Sequence, residues 1–278
     1  MKRFFALVSA LFFAVITLSA QEPLRILAIG NSFSEDTFEN HIHELATADG
    51  RQVVVANLYI GGCTMERHRK NATLNRPKYS YRKTDIDGEK TKTKYIYTIE
   101  KALADEKWDY VTIQEQSALA GRYISYMKAA PQLLTYLRDR LPETTKIYIV
   151  QTWAYQKNSE NPQFAFYNYN QNLMFKSIVS AVKRAGKELP VDGIIPVGVA
   201  IQNARGTSLG DTLTRDGYHL DKRIGRYIAA STVYEKLGGK SVLGNTYCPK
   251  SVSADELLLA QKSVHAAILK PTKLSKIK

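Results

Sequence analysis

Continuous apolar, β-favouring runs recur along the chain at LRILAIG (24–30), QVVVANLYI (52–60), WDYVTIQ (108–114), KIYIVQTW (146–153) and VDGIIPV (191–197). Their lack of polar alternation is the pattern of strands covered on both faces. Helical patterns lie between them. After AIGNS, the residues Phe38, Ile42, Leu45 and Ala46 recur at helical spacing, and Gly50 suits a helix exit. Segments 94–107, 127–141, 164–185, 222–237 and 253–269 also read as helices, and the last opens with Ser253 and Glu256 spaced as a capping box. Strands alternating with helices predict an α/β fold whose central parallel sheet, of about five strands, carries helices on both faces.

One interval breaks the alternation. Residues 64–93 are rich in Lys, Arg and Tyr and hold no sustained apolar period. They read as a surface insertion or lid within a single domain spanning 21–278. The first twenty residues, MKRFFALVSALFFAVITLSA, have a basic start, an apolar run and small residues at the end. That is the pattern of a secretory signal peptide, and the expected location is periplasmic or extracellular. The apolar run is short for a membrane span, and no cysteine near the cleavage point could take a lipid, so no stable membrane insertion is expected.

Export changes how the charge is read. The formal charge of +13 falls to +11 once Lys2 and Arg3 leave with the signal. Outside the cell this favours polyanions such as acidic glycans over nucleic acid, for which the chain carries no motif, and a solvated basic surface also explains it. Cys63 and Cys248 lie too far apart in sequence to be paired on spacing alone. His41 and His43, two residues apart, fall on different faces of a helix, and no Cys/His cluster with metal spacing exists.

Chemistry enters at the carboxyl ends of the strands, where ligands of parallel α/β sheets bind. The first strand ends at Gly30, which places Asn31 and Ser32 at that edge with a helix start behind them. Free N–H groups and the positive dipole end at a helix N-terminus favour an oxyanion, which suits a nucleophilic serine. Serine is also a preferred N-cap, so both readings of Ser32 stand at this point. Of five histidines, His219 alone has a carboxylate three residues before it on a Gly-containing loop, in TRDGYHLDKR. Asp216 there can turn back to imidazole Nδ1 and leave Nε2 to accept a hydroxyl proton.

GNS near the N-terminus and DGYH near the C-terminus together resemble the SGNH/GDSL hydrolase superfamily, as ordered blocks over most of the chain past the signal. The resemblance implies a three-layer α/β/α, flavodoxin-like sandwich and a Ser-His-Asp triad of Ser32, His219 and Asp216, with no cofactor and no metal. It leaves Ser34 an N-cap or first-turn residue. In NLYIGGCT, Gly62 matches the glycine whose N–H faces the oxyanion beside that of Ser32. The third block departs: the family's Gly-x-Asn-Asp appears as Gln114-Glu115-Gln116-Ser117, which sets Gln116, or alternatively Gln114, at the asparagine donor. Asn31 stands where the family often has Asp. IQEQS and QTWAY are similar to an uncharacterised exported branch, DUF4886.

The resemblance implies a serine esterase, and export, aromatics and positive charge favour an acylated, chiefly acetylated, carbohydrate or a small ester as its substrate, with lipid esters and thioesters open. Asn31, Trp153 and Tyr155 at the active edge are candidate substrate contacts, core packing being the other use for the two aromatics. Tyr79, Tyr81, Arg76, Lys78, Arg82 and Lys83 could bind an acidic glycan. A catalytically silent glycan-binding protein on the same fold, or a basic envelope scaffold, would share these features. The oligomeric state is not legible in the sequence.

Overall fold

A computed structural model describes residues 22–278; the segment expected to be a signal peptide lies outside the described residues. Its centre is a seven-stranded sheet: β1 (Leu24–Gly30), β2 (Val53–Tyr59), β3 (Tyr79–Thr84), β4 (Lys90–Tyr97), β5 (Tyr110–Ile113), β6 (Lys146–Val150) and β7 (Gly193–Ile195), in the order β4-β3-β2-β1-β5-β6-β7. The strands from β2 across β1, β5 and β6 to β7 run parallel, and they are the five apolar runs. Ile26, Leu27, Val111, Ile113, Ile147 and Ile149 are at most 1% exposed, as a sheet covered on both sides requires.

The interval 64–93 is not a lid. It forms α3 (Met65–Thr73) and then, with the residues up to Tyr97, a β3–β4 hairpin that adds two antiparallel strands beside β2. The turn is built on Asp85, whose Oδ1 accepts from the N–H groups of Asp87 and Glu89, with Gly88 at φ +86°. Tyr79, Tyr81 and Ser80 of β3 are buried. β4, KTKTKYIY, is a mostly exposed edge whose lysines disfavour pairing with another sheet. The 94–107 helix correspondingly shrinks to α4 (Ile99–Leu103), because β4 uses the residues before it.

Two further boundaries differ from expectation. The first helical pattern is divided into α1 (Ser32–Phe38) and α2 (Ile42–Ala48) by His41, whose φ of +69° no helix accommodates. Residues 191–197 yield a three-residue strand and, past Pro196, an unanticipated α7 (Val197–Arg205). The remaining helices are α5 (Tyr123–Arg138), α6 (Gln171–Glu188), which follows a 3-10 turn at Pro162–Tyr167, α8 (Ile224–Gly238) and α9 (Ala254–Leu269). α9 opens with the expected Ser253–Glu256 capping box. Helices α1, α2, α7, α8 and α9 pack together, as do α3, α5 and α6, with α6 also touching α7, and they flank the sheet. No described helix is long and apolar enough to cross a membrane.

Candidate active site

The chain leaves β1 and enters α1 with no intervening loop. Asn31 caps α1: its Oδ1 accepts from Phe33 N–H at 3.0 Å, while its Nδ2 donates to the Cys63 carbonyl at 2.9 Å. The cap therefore also ties the helix start to the loop after β2. Ser32 is the first helical residue, with its N–H among those a helix leaves without an intrahelical partner. Gly30 permits the abrupt turn, since a Cβ there would lie 2.4 Å from Ser34 Oγ. Ser34 is buried, and its hydroxyl donates to the Asn31 carbonyl and lies 2.8 Å from Asn57 Oδ1. It plays a packing role.

The loop between α7 and α8 brings the other residues to Ser32. His219 Nε2 lies 2.9 Å from Ser32 Oγ, and His219 Nδ1 lies 2.7 Å from Asp216 Oδ2. Asp216 Oδ1 accepts from the N–H groups of His219 at 2.8 Å and Tyr218 at 3.2 Å. The D-x-x-H spacing thus lets one carboxylate hold both the imidazole and its backbone. Burial pulls the Asp216 pKa up most, but the His219 side chain and the two N–H groups together outweigh it and leave the carboxyl below its ordinary value.

A depressed pKa means that ionised Asp216 stabilises the folded state above the unfolded value, near pH 4, and loses this as pH falls through the folded value. Asp216→Asn will unfold at a lower temperature than the parent at pH 7, and the gap will narrow below about pH 4. Thermal melts at pH 7 and pH 3 check this; an unchanged gap would contradict it.

Two carboxylates that the sequence left unremarked hold the loops in place. Asp36, four residues after Ser32 on α1, is fully buried, and its Oδ2 accepts from Leu220 N–H, next to His219, at 2.8 Å. Its Oδ1 meets Arg215 at 2.9 Å and Arg226 of α8 at 2.7 Å. Burial dominates these partners and raises its pKa. Glu115 is 1% exposed, and its Oε1 accepts from Met65 N–H at 2.9 Å and Gln116 N–H at 2.8 Å, joining the loop after β2 to the loop after β5. Burial again leads and raises its pKa.

A cleft of about 340 Å³ opens over Ser32 and His219. Gly62 lines it at φ +59°, a backbone conformation that favours glycine although nothing would obstruct a Cβ there. Among the described residues the N–H groups of Ser32 and Gly62 donate to no protein acceptor. Gln116 reaches the cleft: its Oε1 accepts from Ala118 N–H at 3.0 Å, and its Nε2 donates to Gln163 Oε1 at 3.0 Å. Gln114 does not. It is buried under Asn31 and donates to Asn31 Oδ1 at 3.0 Å, so it supports the cap.

The aromatic substrate contacts expected after β6 are corrected. Trp153 and Tyr155 are fully buried and do not line the cleft, because the chain past β6 passes beneath the histidine loop. Trp153 stacks on Phe33 at 4.0 Å and donates from its indole to the Tyr218 carbonyl, and Tyr155 bonds Ser117 Oγ at 2.8 Å. The aromatics that do face the cleft are Tyr59 and Tyr218, joined by Asn161 and Gln163. Tyr59 ends a recognised strand and Tyr218 sits inside DGYH, so strand-end and loop position could have marked both. Cys63 and Cys248 are both free, and burial pushes the Cys63 thiol up to about 12.

Comparison with known proteins bears on this geometry. The family model described as "Domain of unknown function (DUF4886)" matches residues 25–267. A DUF4886 family protein from Bacteroides uniformis is 46% identical over 92% of this chain and all of its own, with a TM-score of 0.90. A putative SGNH hydrolase from Slackia heliotrinireducens is 21% identical over 77% of this chain and 98% of its own, at a TM-score of 0.51. Axe2, an acetylxylan esterase from Geobacillus stearothermophilus, is 13% identical over 80% and 97%, also at 0.51. These last two share the fold. No curated protein matches the chain.

Proposed function

The chain belongs to the DUF4886 family, and from that premise and the Ser32–His219–Asp216 arrangement we propose that it is a serine ester hydrolase which removes acyl groups, chiefly acetyl, from carbohydrate. The observation that carries the reading is the continuous chain of short contacts, 2.9 Å from Ser32 Oγ to His219 Nε2 and 2.7 Å from His219 Nδ1 to Asp216, at a helix N-terminus facing an open cleft.

His219 Nε2 takes the hydroxyl proton as Ser32 Oγ bonds to the ester carbonyl carbon, and the carbonyl electron pair moves to oxygen. The N–H groups of Ser32 and Gly62 hold that oxyanion. The Gln116 amide is a third donor once it releases Gln163, which is exposed. Collapse breaks the bond to the leaving alkoxide, which takes the proton from His219. Water activated by the same nitrogen then attacks the acyl-serine, and the carboxylic acid leaves. Asp216 keeps the imidazole in the tautomer with Nδ1 protonated and stabilises the imidazolium.

Support for a sugar substrate is the cleft itself, which sets Tyr59 and Tyr218 beside amide side chains, a lining suited to stacking and hydrogen-bonding a pyranose. The acetylxylan esterase on the same fold is consistent with it. The signal-like first residues favour an exported enzyme acting on extracellular or periplasmic glycans. The test is a substrate panel of p-nitrophenyl acetate, longer p-nitrophenyl esters and acetylated oligosaccharides, with released acid quantified. Acetate release exceeding that from longer chains supports the proposal, and no hydrolysis of any ester would defeat it.

A further inference from the structure

A second cavity, of about 280 Å³, lies along α3 just past the loop that carries Gly62. Its lining runs from Thr64, the N-cap of α3, through Arg67, Lys70 and Asn71 to Arg76 and Lys78 on the segment before β3. Four cations thus surround one concavity. Glu66 also borders it, but its carboxylate is held by Arg69 at 2.7 and 2.8 Å, with Lys70 farther off at 3.6 Å. Among the described residues Arg67, Arg76 and Lys78 have no acidic partner and no hydrogen-bond acceptor for their side chains. Asn71, 3% exposed, lies at the floor beside the buried contact of the Tyr79 hydroxyl with His68 Nδ1 at 2.9 Å.

This contrasts with the two basic residues of β3, Arg82 and Lys83. Arg82 pairs with Glu35 and Glu39, and Lys83 with Asp105 and Glu106, so their charge is neutralised within the protein. Tyr79 and Tyr81 are core residues. Of the basic residues between 67 and 83, the three without an acidic partner, Arg67, Arg76 and Lys78, all line the α3 cavity. Thr64 is two residues from Gly62, which keeps their Cα atoms within about 7 Å, so the cavity begins beside the proposed oxyanion loop.

We propose that the α3 cavity is an anion subsite that binds a carboxylate or sulfate on a sugar neighbouring the acylated one, making acylated acidic glycans the preferred substrates. The ester chemistry in this proposal rests on the serine hydrolase reading; the anion binding does not. The guanidinium groups of Arg67 and Arg76 can grip a planar carboxylate or a sulfate in pairs, and Lys70 and Lys78 supply point charges.

The experiment separates the two claims. The intact protein is assayed on p-nitrophenyl acetate, on acetylated neutral xylooligosaccharide and on acetylated oligogalacturonide, at low and high salt. In parallel, calorimetry measures binding of unacetylated oligogalacturonide and of a sulfated oligosaccharide to Ser32→Ala protein, the two ligands telling carboxylate from sulfate. The parent should favour the acidic ester by about tenfold in kcat/KM, as one charge-assisted contact supplies, and lose that advantage as salt screens it. Arg76→Gln with Lys78→Gln should abolish the preference through KM and abolish calorimetric binding, with p-nitrophenyl acetate turnover unchanged. Equal kcat/KM on neutral and acidic esters with no salt-sensitive binding overturns the subsite. Binding lost in the double variant, without hydrolysis of any ester by the parent, keeps the subsite and overturns the hydrolase reading.

Discussion

Replacing Ser32 with alanine will lower ester hydrolysis by about 10⁴-fold or more, in kcat rather than KM, with the fold intact. Deleting the hydroxyl removes the atom that bonds to the acyl carbon, while the oxyanion donors on the backbone of Ser32 and Gly62 stay where they are. The residual rate therefore measures what positioned donors achieve without a covalent step. Ser34 offers no substitute nucleophile, because its hydroxyl is buried between the Asn31 carbonyl and Asn57. Ser34→Ala is the matched control and should keep most of the turnover. Progress curves on p-nitrophenyl acetate for the two variants decide the matter: similar losses in both would remove Ser32 from its proposed role.

The second large effect is expected at Asp36, which touches no substrate. Ser32 and Asp36 are four residues apart on α1, so one short helix carries both the nucleophile and the carboxylate that anchors the histidine loop at Leu220. Asp36→Ala leaves Arg226, whose side chain is 10% exposed, without its closest acidic partner, and frees the loop. Removing one member of a buried pair costs about 3 kcal/mol or more, on the order of 10 °C in melting temperature for a domain this size. Asp36→Asn keeps the acceptor for Leu220 N–H and discards the charge, so it should melt closer to the parent. If Asp36 positions the base, Asp36→Ala lowers kcat by about 10²-fold below its melting range with KM little changed. A variant that melts early but turns over at the parent rate when folded would reduce Asp36 to a purely structural residue.

The pattern of the sequence was most informative where burial is symmetric. β1, β2, β5 and β6 are covered on both faces, so their apolar runs stand out without any knowledge of partners. The β3–β4 hairpin has no such run. Its outer strand alternates lysine and threonine on an exposed edge, and its inner strand is recognisable only once β2 is beside it, although the Asp-Gly turn at 87–88 was a local signal for it. α7 was hidden because IIPVGVAIQ reads as a strand that does not stop, until Pro196 is taken as a helix start.

The candidate site divides along the same line. Asp216 and His219 are legible because three residues of loop suffice to join them, and Ser32 because a strand end and a helix start place it. Trp153 and Tyr155 follow β6 with no regular structure, and only the packing of Phe33 and Tyr218 above them decides that they lie beneath the cleft. Asp36 and Glu115 were invisible for a stronger reason. A buried carboxylate is defined by what satisfies it, and their partners are Arg226 and Leu220 in the one case and Met65 in the other, all far away in sequence.

An activated Ser32 will react with a fluorophosphonate, and peptide mapping of the labelled protein locates the adduct. Ser32 should be modified stoichiometrically in the parent protein, at a rate reduced by orders of magnitude in His219→Ala, with no adduct on Ser34. An unmodified Ser32 in folded parent protein, or labelling that is indifferent to His219, would contradict its role as the nucleophile.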